Sequence, residues 1–207
     1  MAQTMERPVT QPPMQTLPPI ILPDSAAMPR KQWTRAECKK LIECGLLEET
    51  GWELIEGEII RKMGQGRRRI FVCMRIIKAL AAVFGFDFLQ SQSSLPVNDI
   101  NEPEPDAVVL AETLEHYLDV EPGPEDVRLL VEVSDSTLRT DQTVKMRLYA
   151  RGGVPEYWIV NIRELVLEVY RQPSPEGYTE KIIIGKDGSI TPPAASQAQI
   201  KVGDLLP

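Results

Sequence analysis

The sequence predicts a mixed α/β domain, a sheet flanked by helices, and three observations carry that prediction. From Ile70 to Phe84 the apolar residues Ile70, Val72, Cys73, Ile76, Ile77, Leu80 and Val83 recur mainly at three- and four-residue steps, the period of an amphipathic helix. The runs Asp106 to Leu110, Val127 to Val133 and Tyr157 to Val160 are short and apolar, as in strands covered on both faces. Leu165 to Arg171 and Tyr178 to Ile184 alternate around a Pro/Gly turn, which predicts an appended C-terminal hairpin.

Taken in order, residues 1 to 31 are expected to be a disordered tail. Pro8, Pro12, Pro13, Pro18, Pro19, Pro23 and Pro29 interrupt helix and strand alike, and the polar remainder has little to bury. The domain is expected to span 32 to 207. Thr34-Arg35-Ala36-Glu37 has the form of a capping box, and Gly45 ends the short helix it starts. Glu53 to Arg61 is rich in apolar strand formers around Gly57, consistent with a strand or a bent hairpin arm. A strand is expected over Phe86 to Leu95, then a polar turn through Asn98, Asp99 and Asn101. A loop with Pro122, Gly123 and Pro124 leads into the Val127 run. Asp141 to Arg151 has helical composition, with Gly152, Gly153 and Pro155 ending it. Ser134, Ser136 and Thr137 are expected to cap that helix. Tyr157 and Trp158, on a core strand, are expected to pack.

Composition narrows the function classes. At 207 residues the chain is long enough to bury one real core. No apolar run approaches the ~20 residues of a membrane span, and the amino terminus lacks the pattern of a secretion signal. Three cysteines, Cys38, Cys44 and Cys73, form no C-x-x-C pair, so neither a disulfide framework nor a zinc site is expected, and a cytoplasmic location fits. The net charge of −7 weighs against tight non-specific binding of nucleic acid. Charge is uneven, however: Arg61, Lys62, Arg67, Arg68 and Arg69 cluster near a helix start. Cations are unfavourable there, which sets a functional reason such as DNA contact level with the plain reading of a solvated face.

Chemistry concentrates in Asp106, Glu132, Asp141 and Lys145. Two acids at the ends of strands suit Mg²⁺ if those strands are neighbours, since the ion takes one or two carboxylates plus waters and substrate oxygens. The carbonyl of Val133 is a candidate third ligand. A lysine beside such a metal orients or deprotonates the attacking water, or offsets charge in the transition state. Lys145 follows Asp141 by four residues, so on a helix Asp141 is placed to hold it. The same residues admit a plainer reading: an Asp after Pro is commonly a turn residue, and an Asp–Lys pair at this spacing is commonly solvated. Glu132, inside an apolar strand, is harder to dismiss, because a buried charge needs a partner. A serine nucleophile at Ser134, Ser136 or Thr137 is disfavoured, with no histidine in reach by sequence.

The run Trp52-Glu53-Leu54-Ile55-Glu56-Gly57-Glu58-Ile59, then Pro103-Glu104-Pro105-Asp106, then Leu130-Val131-Glu132-Val133-Ser134, resembles the Uma-two family of endonucleases. So do Asp141-x-x-x-Lys145-x-x-x-Tyr149 and the most specific segment, Gly152-Gly153-Val154-Pro155-Glu156-Tyr157-Trp158-Ile159-Val160. The resemblance covers about residues 32 to 207 and implies the restriction-endonuclease-like fold of the PD-(D/E)XK superfamily. It implies Asp106 and Glu132 as the motif acids, Mg²⁺ (with Mn²⁺ as a substitute) as cofactor, and Lys145 in place of the lysine that a standard motif has at Ser134. Asp141 and Tyr149 match supporting positions. One departure stands out: where the family often carries a histidine before its first core helix, this chain has Arg67, and its only histidine, His116, matches nothing. The expectation is a metal-dependent DNA endonuclease leaving a 5′-phosphate, as the resemblance implies, with a homodimer as one arrangement that supplies two sites for paired strand cuts. The rival is a non-catalytic binding protein on the same fold; nucleases of RNA or branched DNA also remain compatible with the sequence.

Overall fold

Thr34 starts the first helix as its sequence predicts. Its hydroxyl accepts from the Glu37 N–H (3.2 Å), while the Glu37 carboxylate accepts from the Thr34 N–H (3.0 Å). Helix α1 spans Arg35–Glu43, and Gly45, at φ +69°, follows in the left-handed region that glycine tolerates best. The computed structural model describes residues 30–62, 64 and 66–207, so the tail expected over 1 to 31 lies almost wholly outside the described residues.

Strands β1 (Trp52–Ile55) and β2 (Glu58–Arg61) pair antiparallel as a small separate sheet. Glu56 and Gly57 join them, both at positive φ, which is the backbone of a two-residue hairpin turn. The hairpin is tied down by the polar turn: the Glu56 N–H donates to Asn101 Oδ1 (2.7 Å), and Leu54 bridges Glu102.

The amphipathic helix α2 runs Arg67–Phe84, burying Val72, Cys73, Ile76 and Leu80. The strand expected over Phe86 to Leu95 is shorter than that. Phe86–Phe88 forms a 3₁₀ turn after Gly85, and β3 is only Leu89–Gln90. Gln92, at φ +50°, breaks the extended conformation a longer ladder would need.

β3 edges the main sheet, which continues with β4 (Ala107–Leu110), β5 (Val127–Ser134), β6 (Glu156–Asn161), β7 (Val166–Ser174) and β8 (Gly177–Gly185) in that spatial order. Only the β5–β6 pair is parallel. Parallel neighbours require a crossover, and the helical segment after β5 supplies it. The C-terminal hairpin, β7 and β8, extends this same sheet. Strands β9 (Ser189–Ile190) and β10 (Ile200–Lys201) form a further small pair.

Alternation along the strands divides the core between the two faces. Val109, Leu129, Val131, Val133, Trp158 and Val160 pack with α2. Val108, Leu130, Tyr157 and Ile159 pack with Leu148 and Tyr149 on the opposite face. Glu132 follows Leu130 by two, so it points to that second face, towards the crossover helix.

The crossover is not one regular helix. It opens with α3 (Leu138–Thr140), passes through a π-helical turn over Asp141–Lys145, and continues as α4 (Met146–Arg151). Gly152 and Gly153, the latter at φ +81°, end it as the sequence predicts.

Candidate active site

Ala107 opposes Val131 across β4 and β5, which brings the residue before it, Asp106, level with Glu132. Both carboxylates are buried, at 2% and 1% exposure. Asp106 Oδ2 accepts from the Val133 N–H (2.7 Å) and from the Arg69 guanidinium (2.8 Å). Its Oδ1 faces the Cys73 thiol at 3.7 Å. Burial and the Asp106 charge push that thiol up to about 12, so it stays protonated and is a poor nucleophile or ligand.

Glu132 Oε1 accepts from Lys145 Nζ (2.9 Å) and from the Tyr149 hydroxyl (2.8 Å). Its Oε2 takes no hydrogen bond among the described residues. Burial pushes the Glu132 carboxyl up to about 8, Lys145 opposing and Asp141, Asp106 and Glu53 adding to the rise. Burial acts against the Lys145 ammonium, but the charges of Glu132, Glu53 and Asp141 outweigh it and hold Lys145 above its ordinary range. Lys145 is therefore a fixed cation, without a lone pair to accept a proton.

The partner of Lys145 differs from the expected one. Asp141 makes no hydrogen bond to it; Asp141 Oδ2 accepts from Ser134 Oγ (2.6 Å) and Thr137 Oγ1 (2.7 Å) instead. Two of the three hydroxyls expected to cap the helix, those of Ser134 and Thr137, are spent on this carboxylate, and Thr137, the N-cap of α3, makes no side-chain cap bond. The second acid on Lys145 is Glu53, whose Oε1 lies 2.9 Å from Nζ and also accepts from the Glu104 N–H (2.8 Å). Glu53 is 8% exposed in β1. Sequence reasoning passed over it, although it carries the signal that marked Glu132, an acid within a short apolar strand.

These groups line a cavity of about 350 Å³, bounded by Glu53, Glu132, Asp141 and Lys145 inside and by Arg61, Lys62 and Arg68 towards the mouth. The arginine run divides. Arg69 turns inward to Asp106, Arg68 lines the cavity, and Arg67 is exposed and does not line it. Lys62 pairs with Glu104 at 2.6 Å. His116 sits in a 3₁₀ turn against Tyr117, outside this cavity lining.

Around Glu132, four acidic side chains (Glu53, Asp106, Glu132 and Asp141) lie with two cations (Arg69 and Lys145), and burial together with the neighbouring acids favours the protonated form of Glu132. Among the described residues no group of three or more His, Cys, Asp or Glu could hold a metal ion. The two acids at adjacent strand ends, Asp106 and Glu132, are hard oxygen donors, the kind of which Mg²⁺ takes one or two. All three cysteines are free, as the composition predicts.

A mixed sheet with paired acids at adjacent strand ends, a crossover helix on one face and an amphipathic helix on the other is a restriction-endonuclease-like fold. A family model described as "Putative restriction endonuclease" matches residues 40–203, and the chain belongs to this Uma2 family. A solved structure of a "putative nuclease" from Anabaena variabilis ATCC 29413 shares the fold, with a TM-score of 0.60 at 20% identity, covering 80% of this chain and 96% of that one. No curated protein matches. Among the described residues no helix is long and apolar enough to cross a membrane.

Proposed function

We propose that the protein is a metal-dependent endonuclease that hydrolyses DNA phosphodiester bonds. The observation that carries this is the pairing of two buried acids, Asp106 and Glu132, at adjacent strand ends, with Glu132 and Lys145 lining a cleft that Arg61 and Arg68 also line. Membership of a family described as restriction endonucleases favours DNA over RNA.

Asp106 and Glu132 would hold Mg²⁺, or Mn²⁺ in its place, with the Val133 carbonyl as a third oxygen. Bound there, the ion supplies a water of lowered pKa and offsets charge developing on the phosphate. The chain does the rest. Glu53 and Glu132 fix Lys145 from two sides, so its ammonium is preorganised to stabilise the transition-state charge and orient the attacking water. Tyr149 fixes the Glu132 carboxylate from below. Asp141 raises the Lys145 pKa through charge alone. Arg61, Lys62 and Arg68 at the mouth attract the phosphate backbone despite the acidic net charge. Cutting both strands takes two such sites, which a homodimer would supply.

The test is cleavage of supercoiled plasmid, linear duplex, single-stranded DNA and RNA in Mg²⁺, Mn²⁺ or chelator. The expected result is metal-dependent nicking of DNA with RNA left intact. No cleavage of any substrate in either metal would move the assignment to a non-catalytic binding protein on the same fold.

A further inference from the structure

Asp106 is already engaged on both oxygens by the chain itself. Oδ2 carries the Arg69 guanidinium at 2.8 Å and the Val133 N–H at 2.7 Å, and Oδ1 faces the Cys73 thiol. The carboxylate is 2% exposed and does not itself line the cleft, whereas Arg69 does, so an ion approaching from the cleft meets Arg69 first. Val133 is fixed by the sheet and Cys73 by the core, whereas the Arg69 side chain is 21% exposed on its way into the cleft. Arg69 is the group able to leave.

Its seat is also incompletely satisfied. An arginine usually meets a carboxylate with two parallel hydrogen bonds. Here one Nη donates to Asp106, and the Arg69 Nε is buried with no partner. A buried donor left without an acceptor weakens the seated state. The helix adds to this. Arg69 lies in the first turn of α2, which has no acidic residue, and a helix amino terminus disfavours a cation. Asp106, with a smaller contribution from the charge of Glu132, draws it in.

We propose that Arg69 is a tethered cation that occupies Asp106 in place of the divalent metal, so that metal binding requires Arg69 to withdraw. This rests on the metal site proposed above. The contact is autoinhibitory: a chain without metal keeps its acid neutralised, and metal affinity is set partly by how readily Arg69 leaves.

The experiment is calorimetric titration of Mn²⁺ into metal-free wild type, Arg69→Gln, Arg68→Gln and Asp106→Asn. It is paired with the Arg69 Nε–H signal of the wild type, followed by nuclear magnetic resonance as Mg²⁺ is added. Releasing a charge-assisted bond predicts that Arg69→Gln binds Mn²⁺ roughly ten-fold tighter or more. Arg68→Gln removes the same charge without the Asp106 contact and is expected to stay within about two-fold. Asp106→Asn is expected to lose binding. The Nε–H signal, sheltered in the metal-free chain, is expected to shift and exchange faster as Mg²⁺ binds. That readout needs no variant to fold. Unchanged or weaker binding by Arg69→Gln, an equal gain in Arg68→Gln, or an unmoved Nε–H signal overturns the proposal while leaving an Asp106-dependent metal site standing. No binding by either the wild type or Arg69→Gln overturns the metal site and this proposal together.

Discussion

Lys145, the last residue of the π-helical turn, meets Glu132 of β5 at 2.9 Å, with side chains 9% and 1% exposed. Removing one member of a buried ion pair leaves the other uncompensated, at a cost of about 3–5 kcal/mol. Lys145→Met is expected to lower stability by that order, and adding Glu132→Gln to restore part of it, because the stranded carboxylate is gone. Urea denaturation of the two single variants and the double variant checks this. Strictly additive losses would mean that the pair is not coupled.

Glu132 also sets a pH dependence in the absence of metal. Its folded-state pKa is pushed from 4.5 up to about 8, first by burial, so the folded chain holds this proton more tightly than the unfolded chain does. The stabilising contribution is complete below about pH 4.5 and is lost as pH rises through about 8. Wild-type stability in chelator is therefore expected to fall across that window relative to Glu132→Gln, which has nothing to ionise. Urea midpoints at a series of pH values measure it. Parallel profiles for the two proteins would contradict the shift.

Gly57 links the turn of the first hairpin to the site. It sits at φ +76°, and a Cβ there would lie 2.7 Å from Gln32 Cβ. Gly57→Ala is expected to cost more than the ~1 kcal/mol of an unfavourable φ alone, since the neighbouring chain must also shift. Because β1 carries Glu53, the same substitution is expected to weaken metal-dependent activity with Asp106 and Glu132 intact. Thermal denaturation and cleavage rate, measured together, check both halves.

Glu156, in the most family-specific segment, has a structural task. Its Oε1 accepts from Trp158 Nε1 (3.0 Å) and from Arg171 Nε (2.9 Å) and Nη2 (2.7 Å), tying β6 to β7. Glu156→Ala is expected to destabilise by about 3–5 kcal/mol, as for other broken buried pairs, while Mn²⁺ affinity of the folded protein stays unchanged. Loss of metal binding in a folded variant would show that this segment contributes to the site as well.

The elements most legible in the sequence were those set by a single local rule. The Thr34–Glu37 box, the apolar period of α2, the three core strands and the Gly152-Gly153 stop each follow from nearest neighbours along the chain. β3 failed because apolar composition says little about where a ladder ends, and the backbone at Gln92 ends it. The pairing of Lys145 was misread for a related reason. A four-residue spacing places Asp141 and Lys145 on one face, but Ser134 and Thr137 claim the Asp141 carboxylate, and Glu53 arrives from a strand 92 residues away in sequence. Likewise, nothing local distinguishes Arg69, which turns inward, from Arg67, which does not. Contacts between distant segments were the illegible part.

The most direct test of a metal-dependent nuclease site built on Asp106, Glu132 and Lys145 is plasmid cleavage in Mg²⁺ by wild type, Asp106→Asn, Glu132→Gln and Lys145→Met, each first shown to be folded. Loss of a metal ligand or of the preorganised cation predicts rates lower by about 10²-fold or more in all three variants, with the wild type silent in chelator. Cleavage that persists in all three folded variants, or in chelator, would contradict it.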